Sequence, residues 1–142
     1  MFLPQDKMTF DIDLEGNITH ERYHGTFSVK CLLTNAETLQ IAAAVDKMGG
    51  NSQTMPAPYR QFMKALCELD FLVLDAPAFW KNSEGGRTLK DQNVVNEVYA
   101  KALDQAVTYQ KRINDEAEAL SKAHAEHQKK EKEKANAAQA QA

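Results

Sequence analysis

From Gln92 to about Lys134 nothing interrupts a helix: no glycine or proline falls there, and Ala, Glu, Lys and Gln dominate. All four residue types favour helix. Some forty residues at ~1.5 Å each would span ~60 Å, which is more than the rest of a 142-residue chain needs for its own body. Val94, Val95, Val98, Ala102, Leu103, Ala106, Tyr109, Ile113, Ala117 and Leu120 mark the apolar side. Past Leu120 the stripe fades into "SKAHAEHQKKEKEKANAAQAQA", a solvated end unless a partner holds it. The steps from Val98 through Ala102, Ala106, Tyr109, Ile113 and Ala117 to Leu120 average about 3.67 residues, the period of a nearly straight helix rather than a strict heptad coil. The expected organisation is therefore a small domain over 1–91, a long helix over 92–134 and a polar low-complexity tail over 135–142.

The first part reads as mixed α and β. In "FDIDLEGN", Phe10, Ile12 and Leu14 alternate with Asp11 and Asp13, the pattern of a half-buried strand. "EGN" at 15–17 is a turn signal. Tyr23, Phe27, Val29 and Cys31 share a parity on the far side, so the spacing predicts an antiparallel β-hairpin with a short Gly-containing turn. Thr34 and Glu37 have capping-box spacing, and Ile41, Val45 and Met48 line one face of the helix that follows. A second helix is expected from near Pro58, with Tyr59, Phe62, Met63, Leu66 and Leu69 as its buried stripe. "FLVLD" at 71–75 fits either a third strand or the end of that helix. "KNSEGGRT" has loop composition, and Asp91 suits the N-cap of the long helix. The expected fold is α+β: a hairpin packed on two short helices and the base of the long one.

The chemistry-bearing patterns are few. "HERYH" at 20–24 matches His-Glu-x-x-His, which binds zinc when a helix sets its histidines one turn apart and its Glu acts as general base. Its neighbours are strand formers. In a strand, residues four apart lie ~13 Å apart, against zinc–nitrogen bonds of ~2 Å. A zinc hydrolase is thus a distant alternative. His124 and His127 lie i, i+3 on the long helix without neighbours that fix a metal geometry. No phosphate loop and no Gly-x-Ser-x-Gly occurs, and no catalytic, cofactor or metal residues are assigned. A net charge of −3 with interspersed signs argues against direct nucleic-acid binding. No run of 18 apolar residues exists, so no membrane span is expected, and the first residues do not read as a secretory signal. Cys31 and Cys67 make no Cys-x-x-Cys pair and read as buried thiols in a reducing compartment.

The most distinctive stretch is "LDAPAFWKNSEGGRTLKDQNVVNEVYAKAL" at 74–103. Phe79 and the single Trp, Trp80, either fold back over Val94, Val95 and Val98 or leave one ring at the surface as an anchor, a role that suits Trp. Together with "FDIDLEGNITHERYHGTFSVKCLL", the "APAFWKNS-EGG-L-D-NV" pattern resembles small head and tail morphogenesis proteins of tailed bacteriophages. The resemblance covers about 60% of the chain and carries no active-site residues. It implies a non-catalytic virion or morphogenesis protein without cofactor, present in the host cytoplasm during assembly or in the virion. Its partners would be capsid, tail or tape-measure proteins, and it would form a homo-oligomer. A tail assembly chaperone that binds the tape-measure protein and leaves before maturation is the alternative, although the hairpin departs from the mostly helical chaperone pattern. On either reading Phe79, Trp80, Tyr109, Ile113 and Leu120 are the expected partner contacts.

Overall fold

A computed structural model describes residues 6–49 and 53–140 of the chain. Alternation along the first strands produces the hairpin: β1 (Lys7–Glu15) pairs antiparallel with β2 (Arg22–Lys30), Phe10 opposite Phe27 and Leu14 opposite Tyr23. The even positions of β1 and the odd positions of β2 face inward, so Phe10, Ile12, Tyr23, Phe27 and Val29 are buried. Charged partners occupy the other face, where Arg22 Nε donates to Asp13 at 2.6 Å. The connection spans residues 16–21 and is longer than the sequence suggests, for a reason found in Asp91 below.

α1 (Asn35–Lys47) begins with the expected capping box: the Glu37 N–H donates to Thr34 Oγ1 at 3.1 Å, and the Thr34 N–H donates to Glu37 Oε1 at 3.0 Å. α2 (Ala57–Leu72) buries Ala65, Leu66, Cys67, Leu69 and Leu72. Tyr59, expected on that stripe, is 61% exposed, because it sits in the first turn, ahead of the segment that packs. Both readings of 71–75 hold in part. The helix ends at Leu72 and β3 (Val73–Asp75) follows at once, adding to β2 with Val73 opposite Val29 and Asp75 opposite Ser28. The sheet order is β1-β2-β3. A single turn, α3 (Ala78–Lys81), and a loop lead to α4 (Gln92–Ala140). The architecture is α+β: a three-stranded antiparallel sheet, short helices and one long C-terminal helix.

Phe27 is the centre of the core. Phe10 stacks on it at 5.3 Å, and Phe79 and Trp80 meet it edge-on at 6.1 and 5.5 Å. Edge-to-face rings at these distances add to the free energy of area burial. Val94, Val95, Val98 and Ala102 of α4 close the cluster. α4 also covers the open edge of β1. Lys101 Nζ donates to the Asp11 carbonyl at 2.8 Å and Asn93 Nδ2 to the Glu15 carbonyl at 3.0 Å. Such capping blunts an edge that would otherwise template pairing with another chain.

Candidate assembly surface

The histidine pattern does not form a zincin site. His20 lies in the connecting loop with φ 60 and His24 lies in β2, so no helical turn brings their rings together. Among the described residues no group of three or more His, Cys, Asp or Glu is placed to hold a metal ion. Both thiols are free and buried, and burial pushes both pKa values up. That leaves them poor nucleophiles.

The distinctive 74–103 stretch is a clamp, and its residues are used inside the molecule. Trp80 is 4% exposed, and Phe79 packs half-buried against Tyr23 with ring centres 5.2 Å apart. The polar loop after them is ordered by Ser83, itself buried, whose Oγ donates to the Trp80 carbonyl at 3.1 Å and accepts the Gly86 N–H at 3.2 Å. Gly86, at φ +88, lies flat against the indole: a Cβ there would stand 2.9 Å from both the Trp80 ring and Val95. Arg87 grips Asp70 of α2 with two N–H groups at 2.9 and 2.7 Å, the bidentate geometry that suits Arg.

Asp91 completes the clamp. It precedes α4 as expected of an N-cap, and its carbonyl accepts the Val94 N–H at 3.2 Å. Its carboxylate, however, serves the hairpin loop. The Ile18 and Thr19 N–H groups donate to Oδ1 at 2.8 and 2.9 Å, and the Thr19 and Tyr23 hydroxyls donate to Oδ2. Burial alone would raise this carboxyl's pKa, but the donors from Thr19, Ile18 and Tyr23 outweigh it and hold the group well below the usual carboxylate range. The loop is long because it must present these donors, and Gly16 lets it come close: a Cβ there would fall 2.3 Å from the Asp91 carboxylate. This group joins the hairpin to α4.

What remains outward is the rod. α4 packs on β1, β2 and α2 through its first turns. Among the described residues Tyr109 is the last fully buried one, at 1% exposure, and Ile113 is half-buried. From Asn114 to Ala138 every residue is exposed. The full 49-residue helix is about 74 Å long, and more than a third of it projects. Of the five residues expected to meet partners, Trp80 and Tyr109 are therefore withdrawn into the chain's own body and present no ring to the outside. Phe79 is largely spent on Tyr23 and Phe27. Ile113 lies at the junction and Leu120, 57% exposed, lies on the projecting part. Val107, 68% exposed one turn after the 41% exposed Leu103, is an outward apolar pair that the inward stripe hid; its i, i+4 step was the available signal.

A cavity of about 330 Å³ opens between α1 and α2, with Leu33, Ile41, Ala42, Val45, Lys64 and Glu68 among its lining residues. None of the helices among the described residues is long and apolar enough to cross a membrane. Comparison with protein-family models, curated proteins and solved structures finds no match for this chain.

Proposed function

We propose that this chain is a non-catalytic assembly protein of the kind that serves tailed-phage morphogenesis, making contacts with capsid or tail subunits through its projecting helix. One observation carries the reading: α4 runs on from Asn114 to Ala140 after its own domain has ended. Helices in globular proteins derive most of their stability from packing one face. A rod that continues without such a face is a device for reaching another molecule. The body supplies the base: Asp91 fastens the start of α4 to the hairpin, Ser83 orders the loop that leads to it, and Arg87 ties that loop to α2. The resemblance of the clamp sequence to phage morphogenesis proteins supplies the biological setting.

The test is quantitative mass spectrometry of purified particles and of soluble fractions from infected cells. The expected result is this chain in stable association with capsid, tail or tape-measure subunits. Presence in the particle marks a virion component, and presence only in soluble complexes marks a chaperone. A chain that sediments alone in every fraction overturns the reading.

A further inference from the structure

We propose that the cavity between α1 and α2 binds a small organic cation, a primary ammonium that carries a short apolar body. Its volume of about 330 Å³ falls at the lower end of the range for small-molecule sites. Leu33, Ile41, Ala42 and Val45 supply carbon surface, with Ile41 buried and Leu33 and Val45 half-buried. That wall receives an apolar body without choosing its charge. The charge is set from α2, where Lys64 and Glu68 line the same space.

The two charges are not equivalent. The Glu68 side chain is 15% exposed and that of Lys64 is 64% exposed. Glu68 is held in place, because its Oε2 accepts the Tyr99 hydroxyl of α4. Burial, with the carboxylate beside it, pushes the Tyr99 pKa well up, so this hydroxyl stays a donor. The other oxygen, Oε1, is approached by Lys64 Nζ at 3.6 Å, beyond hydrogen-bonding distance. Lys64 sits on a flexible stem, and a loose pair one helical turn apart contributes little. A carboxylate oxygen that has lost most of its water and gained no donor is costly. A donor that arrives with a positive charge relieves it. Thr38, also on the wall, acts in the same sense. Its hydroxyl donates to the Thr34 carbonyl at 3.1 Å, so what it offers a guest is an acceptor. A cation displaces the Lys64 ammonium, which returns to water while its stem stays on the surface. An anion gains only that mobile ammonium and must stand beside the fixed carboxylate. The site is separate from the projecting helix and does not depend on the assembly role.

Nuclear magnetic resonance titration of the full chain with hexylamine, hexanoate and hexanol tests this. The three probes share one apolar body and differ in the head group. Hexylamine is expected to bind at millimolar concentration, with shifts concentrated on residues 33–45 and 64–68, and the other two about tenfold more weakly or less. Glu68→Gln weakens hexylamine binding about tenfold or more. Ala42→Phe, at an exposed helix position, leaves the carboxylate in place, fills the opening and weakens binding as well. Should Glu68→Gln fail to fold, Ala42→Phe and the ranking of the three probes decide the matter. Hexanoate or hexanol binding as tightly as the amine overturns the proposal, and so does undiminished binding to either folded variant. Shifts that fall instead on the exposed carboxylates of the distal part of α4, or no shift at all with the amine, also overturn it.

Discussion

The clamp at 74–103 and the rod beyond Asn114 use the chain in opposite ways. In the clamp nearly every unusual residue is consumed internally: Trp80 by Phe27, Gly86 by the indole, Ser83 by the loop and Asp91 by the hairpin turn. In the rod almost nothing is consumed, since exposure is continuous from Asn114 to Ala138. The stretch that stands out by its aromatic content is here the fastening, whereas the plain Ala/Glu/Lys end is the exposed part. A rare residue in a small domain is more often needed by the core than by a partner, because a large side chain is the efficient way to fill one.

The largest effect expected on this contrast comes from Trp80→Ala. Emptying an indole site in the core costs roughly 3–5 kcal/mol, enough to unfold a domain of ordinary stability. Urea unfolding followed by near-ultraviolet circular dichroism measures it. A loss below about 1 kcal/mol would mean that Trp80 is not the centre of the clamp.

Asp91 comes next, and pH isolates it. Its carboxyl is depressed in the folded chain, so the unfolded state takes up a proton first as pH falls. The stability it contributes is complete above the unfolded value, about 3.9, and is lost progressively as pH drops towards the folded value. Asp91→Asn keeps the size and removes the charge. The variant is expected to be less stable at neutral pH and to lose part of the acid limb of the wild-type curve. Equal acid limbs in the two proteins would show that other carboxylates govern acid unfolding.

Gly86→Ala is expected to cost less, roughly 1–3 kcal/mol, because the ring of Trp80 must shift while φ stays positive. Pairing it with Trp80→Leu sharpens the point. If the contact with the indole is the main cost, the alanine becomes far milder in that background, a coupling that a double-mutant cycle reads directly.

What could be read beforehand follows the range of each signal. Parity along β1 and β2, the Thr34–Glu37 capping box and the uninterrupted helix are local patterns, and each was legible in the order of the residues. The junction at Leu72–Val73 was ambiguous because a short apolar run satisfies both helix and strand; the edge of β2 decided it. Tyr59 was misplaced on a buried stripe because periodicity says which face a residue lies on, not how far along the helix its partners extend. Asp91 read as a helix cap because that role needs only its neighbours. Its actual donors lie some seventy residues away in the hairpin loop, and no local pattern announces them. The aromatic pair posed the same difficulty: composition offered an anchor or a core, and only the meeting with Phe27 and α4 chose the core.

The smallest effect is expected at the far end of the rod. Ending the chain after Asn114 should leave the urea midpoint of the body within about 0.5 kcal/mol of wild type, since no buried side chain lies beyond that point among the described residues. Far-ultraviolet circular dichroism should meanwhile lose the helical signal of the residues removed. The two readouts together are decisive for the comparison. A body destabilised by several kcal/mol would mean that the distal helix folds back and covers the domain, so that fastening and surface are not separate regions. A helical signal that hardly changes would mean that the distal segment is helical only when something else holds it. An unchanged midpoint with a reduced helical signal leaves a self-sufficient domain carrying an ordered arm, the arrangement from which a second molecule can be gripped without disturbing the first.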